Sequence, residues 1–191
     1  MGGYLSSVRG EHEIPRLSVP IVLDETATLP LRGSDEAAGY DLSASESVEV
    51  PPRGRAMVGT GVKMAIGSES MKALFPPRIF TVHGHLRGRS GLARKGIDVH
   101  AGTIDADYRG DISVIVINNT DTVFAISKGD RIAQIVFQLT LLPELSAVEQ
   151  QQPQEALLSA TQRGEGGFGS TGVKAADVVP SDQAEQHAEA L

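Results

Sequence analysis

Cysteine and tryptophan are absent from the 191 residues, and aromatic side chains make up only 4%. Without cysteine there is no disulfide scaffold, no thiolate zinc site and no cysteine nucleophile, although the compartment stays open because a cysteine-free chain suits any redox milieu. A metal would have to be held by oxygen or histidine. No apolar run of about 18 residues occurs, and the opening MGGYLSSVRGEHEIPR has no apolar stretch of the secretory kind. No membrane association is expected, and the expected location is intracellular, cytoplasmic or nuclear, with an organelle left open. Positive charge is also scarce: Lys+Arg 17 against Asp+Glu 24 gives a net charge of -7. A broad basic face for stable nucleic-acid binding is therefore not expected, whereas a small anionic ligand needs only a few local donors.

What the chain does have is turns, with Gly 21 and Pro 10. From Arg55 to Met64 the apolar Ala56, Val58, Val62 and Met64 share one parity, the pattern of a strand with one buried face. Leu17 to Leu23 reads as a further strand, placed near an edge by Pro20. Ile112 to Ile117 is a nearly continuous β-branched run ended by Asn118-Asn119, which predicts a strand covered on both sides followed by a turn. Val123–Ile126 and Ile132–Leu139 read as strands joined by a hairpin-type turn at Ser127-Lys128-Gly129-Asp130. Only Ser90–Lys95 and Gln154–Ala160 suggest helix. The expected class is all-β, a sandwich or barrel of many short strands. Gly67–His85, with Pro76-Pro77 among apolar residues, fits that plan poorly and reads as a loop insertion. Asn118-Asn119-Thr120 matches the N-glycosylation sequon, which matters only in a secreted chain.

Three stretches suggest chemistry. Arg163-Gly-Glu-Gly-Gly-Phe168-Gly-Ser170-Thr171-Gly172 has five glycines in ten residues. Such backbone can turn its N–H groups onto an anion, with Arg163 as a fixed cationic fork and Phe168 as a stacking face. A flexible linker is the plain alternative, and the spacing is not that of a Walker loop. In Gly88-Arg89-Ser90-Gly91-Leu92-Ala93-Arg94-Lys95-Gly96, Ser90 reads as a helix cap and an anion donor at once, against a simple capped helix with solvated charges. Gly102-Thr103-Ile104-Asp105-Ala106-Asp107-Tyr108-Arg109-Gly110 sets two carboxylates and a tyrosine in a hairpin-like turn. A carboxylate there can act as a general base on water, and turn-forming Asx residues are the alternative. Asp41, and Asp130-Arg131 with Gln134, are isolated polar groups among apolar ones, and read singly as turn or surface charges. The histidines at 12, 83, 85, 100 and 187 form no metal-ligand spacing, and no GxSxG elbow occurs.

Taken in order, AGYDL (38–42), GRSGLA (88–93), GTIDADYRG (102–110), GDRIAQ (129–134) and RGEGGFGSTG (163–172) resemble the five motifs of the homotrimeric dUTPase family, with the match running from Leu17 to Gly172. The resemblance implies a jelly-roll-like β-barrel or sandwich with one short helix and a flexible C-terminal arm. It implies a homotrimer with shared active sites that hydrolyses dUTP to dUMP and pyrophosphate with Mg²⁺, keeping uracil out of DNA and supplying dUMP for dTMP synthesis. Carried over residue by residue, Asp105 would be the general base on the water that attacks the α-phosphorus. Gly102, Thr103 and Ile104 would read the uracil edge and Tyr108 would lie against the deoxyribose. Arg89, Ser90, Gly91 and Gln134 would bind phosphate oxygens, and Asp41 would reach hydrated Mg²⁺ through water. Arg163 would clamp the γ-phosphate and Phe168 would stack on uracil, while Gly167, Gly169, Ser170 and Thr171 would close over the chain as a lid.

The implied organisation is an N-terminal extension, 1–16, expected to be flexible; a β domain, 17–141, with an insertion at about 68–82; a linker and arm, 142–172; and a disordered tail, 173–191. The 68–82 insertion and the long 142–162 connection, with its QQQPQ, exceed compact members of the family. Each reads either as a partner-binding loop or as a lengthened link. Two rival functions share the scaffold. A dCTP deaminase would need an acid where Ile115 stands, and a non-catalytic regulatory nucleotide binder would be expected to lack the base or the lid, yet Asp105, Arg163 and Phe168 are all present.

Overall fold

The computed structural model describes residues 17–69, 72, 79–147 and 161. The chain divides into two compact units, Met1–Glu144 and Leu145–Leu191, and all the elements below lie in the first. They are β1 (Ile21–Leu23), β2 (Tyr40–Ser43), β3 (Val48–Val50), β4 (Arg55–Met64), β5 (Phe80–Arg87), the single-turn helix α1 (Ser90–Ala93), β6 (Ile97–His100), β7 (Thr103–Ile104), β8 (Ile112–Asn118), β9 (Phe124–Ile126) and β10 (Arg131–Leu141). One antiparallel sheet has the order β1-β4-β8-β6, a second the order β2-β10-β5-β7, and β3 pairs with β9 in a ribbon. The result is an open, jelly-roll-like sandwich.

The core is made where the parity of each strand turns inward. Val58, Val62, Val114, Val116 and Ile97 of the first sheet, Leu42, Leu86 and Ile135 of the second, and Val50 and Ile126 of the ribbon form one buried cluster. Each such side chain contributes about 1.5–3 kcal/mol on leaving water. β8 alternates fully buried with half-buried positions, so its second face is only partly covered where the β-branched run predicts cover on both sides. In β4 the ladder with β8 slips between Gly59 and Val62. Gly61 takes φ 67 at that irregularity, a left-handed conformation that glycine adopts without strain. The buried Thr60 hydroxyl donates to the Ile112 carbonyl at 2.6 Å, so the slip leaves that hydroxyl satisfied.

Several readings change on contact with the fold. β1 begins only at Ile21, and Pro20 stands just before this edge strand. β9 and β10 do not pair with each other, so the Ser127–Asp130 turn carries the chain between sheets. That turn closes through Asp130 N–H to Ser127 O at 3.0 Å and Ser127 N–H to Asp130 Oδ2 at 2.8 Å. The segment 67–85 is not an inserted loop throughout. From Phe80 on it is β5, paired along its whole length with β10 from Phe80↔Leu141 to Arg87↔Gln134. Its glycine and histidines hid the alternation that buries Val82, Gly84 and Leu86. The helix read at Gln154–Ala160 and the two tails lie outside the described residues.

Asn118 is fully buried rather than a turn surface residue. Its Nδ2 donates to the carbonyls of Val50 at 3.1 Å, Pro51 at 3.1 Å and Thr122 at 2.8 Å, so in the folded chain the sequon nitrogen is inaccessible.

Candidate active site

Residues distant in sequence meet at one end of the second sheet. The register sets Asp41 of β2 opposite Gln134 of β10, and Gln134 opposite Arg87 of β5, a polar row across three strands. Between Arg131 and Ala133 the ladder takes in one extra residue. Ile132 and Ala133 are both buried in consequence. In a regular strand residues three apart face opposite sides. The bulge puts Arg131 and Gln134 on the same side, both toward Asp41.

Asp41 is the hub. Its Oδ1 lies 3.0 Å from Arg89 Nε, and its Oδ2 lies 3.1 Å from Arg131 Nη1 and 3.5 Å from Arg89 Nη2. Arg89 Nη1 donates to the Arg131 carbonyl at 3.1 Å, which holds the guanidinium on a second side. Gln134 Nε2 donates to the Gly88 carbonyl at 3.2 Å, tying β10 to the loop before α1. Gly39 lies so close to the Gln134 amide that a Cβ there would collide with Oε1. A cavity of about 480 Å³ opens over this cluster, walled by Gly33, Asp41, Arg89, Ser90, Lys95 and Gln134 among others.

Ser90 is the first residue of α1, not its cap. Arg89 occupies the N-cap position in extended conformation, with no side-chain capping bond. The expected double role of Ser90 therefore reduces to one, and its hydroxyl is not spent on the helix. Gly91 has open space around it.

The 102–110 stretch is not a hairpin. Thr103-Ile104 pairs with His85 and Gly84 of β5, whereas Ile112 begins a strand of the other sheet. The Asp105–Gly110 loop is a crossing between sheets. Gly102 O accepts from Leu86 N–H at 2.7 Å, and Tyr108 N–H closes the turn onto Asp105 O at 3.1 Å. Arg109 Nη1 binds the Ala106 and Tyr108 carbonyls at 2.8 and 2.7 Å. The Tyr108 hydroxyl donates to Asp111 O at 3.0 Å, so the half-exposed ring is fixed against Gly110. Asp105 itself is exposed. It lines a second cavity of about 560 Å³ with Asp107, Arg109, Thr81 and Lys72. Gly67 N–H donates to the Ala106 carbonyl at 2.9 Å, anchoring the start of the 68–79 connection to the Asp105 turn.

The structure thus gathers Asp41, Arg89, Ser90, Gly91 and Gln134 at one cavity and sets Asp105 at another. Thr103 pairs two residues along β5 from Arg87, roughly 7 Å at strand rise. Arg163, Gly167, Phe168, Gly169, Ser170 and Thr171 lie outside the described residues. Sequence reading missed Arg131 and Lys95 as members of the cluster. Two-residue parity misassigns Arg131, because only the bulge turns it to the Asp41 side.

His83 and His85 are half-buried on β5, with Nδ1 atoms 2.8 Å from Thr140 Oγ1 and 3.1 Å from Gln138 Oε1. Among the described residues no group of three or more His, Asp or Glu side chains is placed to hold a metal ion. No helix among them is long and apolar enough to cross a membrane.

The dUTPase family model matches residues 25–172. The chain is 50% identical over 152 residues to the deoxyuridine 5'-triphosphate nucleotidohydrolase of Oryza sativa subsp. japonica, covering 79% of this chain and 78% of that protein. It is 43% identical over 152 residues to the protein of the same name from Paramecium bursaria Chlorella virus 1, covering 79% and 94%. Among solved structures it is similar to the Staphylococcus bacteriophage 80alpha dUTPase with dUPNHPP, at a TM-score of 0.66 and 29% identity, covering 82% of this chain and 99% of that one. A dUTPase mutant from phage phi11 of S. aureus, described for its coordination of a structural Mg(II) ion, follows at a TM-score of 0.59 and 25% identity, covering 72% and 100%. Fold, motif order and these likenesses agree: the chain belongs to the dUTPase family.

Proposed function

We propose that the protein hydrolyses dUTP to dUMP and pyrophosphate, in a homotrimer whose sites draw on more than one chain. The observation that carries this reading is the cluster of Arg89, Ser90, Gly91, Lys95 and Gln134 around one open cavity, with Arg131 paired to Asp41 beside it. It brings cationic and neutral donors from two motifs, and the Asp41 carboxylate of a third, to a single open space. Arg89, with its planar fork, and Ser90 bind phosphate oxygens of the triphosphate.

Asp105 is the base. It takes a proton from water as the water oxygen bonds to the α-phosphorus, and the bond to the bridging oxygen breaks to release pyrophosphate. Its carboxylate makes no hydrogen bond or ion pair with any described residue, which leaves both oxygens open to a water. The fixed Tyr108 ring offers the flat apolar face that a deoxyribose fits and a 2′-hydroxyl would crowd. Gly102, Thr103 and Ile104 supply backbone to the uracil edge. Arg163, Phe168 and the Gly167–Thr171 segment close over the bound nucleotide as a lid.

A Mg²⁺ ion fits Asp41 only through water. Both carboxylate oxygens are already engaged by guanidinium groups, so direct ligation would break the Arg89 and Arg131 pairs. When bound with the triphosphate, the hydrated ion would offset charge on the leaving pyrophosphate.

Assembly through several chains is supported by separation of Asp105 from the phosphate cluster into another cavity. It is also supported by the exposed apolar Ile79, Leu139, Leu141 and Leu142 at one end of β5 and β10. Unpartnered apolar groups gathered in one place mark an association surface. The part of the 68–82 segment open to a partner role ends before Phe80, since the remainder is sheet.

The test is pyrophosphate release from dUTP, dTTP and UTP in Mg²⁺, with Asp105→Asn alongside. The expected result is turnover of dUTP far above the other two, and a loss of roughly 10²–10⁴ in kcat for the variant. Equal rates on dUTP and dTTP, or near-normal turnover by Asp105→Asn, would refute the assignment.

A further inference from the structure

We propose that Arg131 is a positioning residue for this reaction: it holds Asp41, and through Asp41 and its own carbonyl it aims Arg89 at the polyphosphate. The inference rests on the functional reading of the cavity given above.

Arg131 sits at the β10 bulge, where its side chain turns toward β2. Its Nη1 is 3.1 Å from Asp41 Oδ2, while its carbonyl receives Arg89 Nη1 at 3.1 Å. Arg89 Nε is 3.0 Å from Asp41 Oδ1. The Arg89 guanidinium is therefore gripped along two edges, one by the Arg131 main chain and one by a carboxylate that the Arg131 side chain holds in place. A guanidinium has five N–H donors. Three are taken here, counting the long Nη2 contact at 3.5 Å, and two remain for an incoming anion. Arg131 does not line the cavity; it stands behind Asp41.

Without the Arg131 side chain, Asp41 Oδ2 keeps only the 3.5 Å contact, too long to fix the carboxylate. Arg89 and Asp41 can then turn together, and the donors meant for phosphate lose their aim. Charge changes as well. Arg89, Arg131 and Lys95 against Asp41 give 3 − 1 = 2 positive charges at the cluster, and 2 − 1 = 1 without Arg131. A lysine restores the charge but not the planar fork, so the two contributions separate. The Arg131 side chain is 59% exposed, and its loss opens no core cavity.

The experiment uses the full chain as wild type, Arg131→Met, Arg131→Lys, Asp41→Asn and the double variant Asp41→Asn/Arg131→Met. It reads KM and kcat on dUTP, the Mg²⁺ concentration for half-maximal rate, Kd for the imido analogue dUpNHpp, and Tm. Arg131→Met is expected to keep its Tm within a few degrees. KM and Kd are expected to rise about tenfold and half-saturating Mg²⁺ to shift upward, with kcat falling less than KM rises. Arg131→Lys should recover part of the loss, most at low ionic strength. The double variant should be within about twofold of Asp41→Asn alone, because Arg131 acts through Asp41. Wild-type KM and Kd in Arg131→Met, or losses that multiply in the double variant, overturn the inference while leaving the functional reading intact. A wild-type chain inert to both dUTP and dUpNHpp overturns the functional reading, and this inference with it.

Discussion

Asn118→Ala removes five hydrogen bonds where β8 of the first sheet meets the β3–β9 ribbon. Nδ2 serves the carbonyls of Val50 and Pro51 at the end of β3 and of Thr122 before β9. Oδ1 receives the Thr120 N–H at 3.0 Å and the Thr120 hydroxyl at 2.7 Å. The cost is uneven. The bond to Val50 O is fully buried, while the other four are partly open to solvent, where water can stand in for the lost partner. Taking about 1.5–2 kcal/mol for the first and about 0.5 kcal/mol for each of the others gives roughly 3–4 kcal/mol. That is a large share of the 5–15 kcal/mol typical of a domain. Urea unfolding followed by circular dichroism would report it as a lower midpoint at unchanged slope. Asn118→Asp sharpens the test, since at neutral pH it sets a carboxylate against three carbonyl oxygens. The charged form is penalised in the folded state, so the folded pKa is raised and this variant should gain stability as pH falls, opposite to the trend of an ordinary paired carboxylate. A loss under 1 kcal/mol in Asn118→Ala would show that the network does not tie the ribbon to the first sheet.

Two further outcomes are expected. The Asp24 carboxyl is held below its ordinary 3.8, first by the Thr26 hydroxyl and then by the Thr26 N–H, both at 2.7 Å to Oδ1. Its stabilising effect is thus present above 3.8 and lost as pH falls through the lower folded value, so the Tm gap between wild type and Asp24→Asn should close in strong acid; a gap that persists there would refute this. Ending the chain after Gln162 should leave the β domain's Tm unchanged and cut dUTP turnover by at least ~10²-fold, because the segment proposed to close over the nucleotide would no longer align the attack; near-normal turnover by the truncated protein would defeat the lid assignment.

The strands that were legible in the sequence were those with β-branched runs or clear two-residue parity. Ile112–Asn118 and Arg55–Met64 fall within a residue of their predicted bounds. Those missed lack that signature. Phe80–Arg87 carries histidines on its outer parity and a glycine on its inner one, so its burial depends on neighbours that a single sequence does not display. Tyr40–Ser43 is four residues long and half polar, too short for a period to register. The cavity-lining residues Arg89, Ser90, Gly91 and Gln134 were legible as motif members, and the fold brings them together. Arg131 was not, because its direction depends on a register slip of one residue. Asn118 read as a turn former because local sequence does not show the three carbonyls packed against it.

That slip in β10 makes chain length there as constrained as chemistry. Exchanging Ile132 or Ala133 for another apolar residue of similar size would leave that register in place. Deleting one would restore an even ladder and swing Arg131 to the opposite side of the sheet, leaving Asp41 with a single cationic neighbour. A shortened variant would therefore keep every side chain of the fourth motif except one, and still turn Arg131 away from its carboxylate partner.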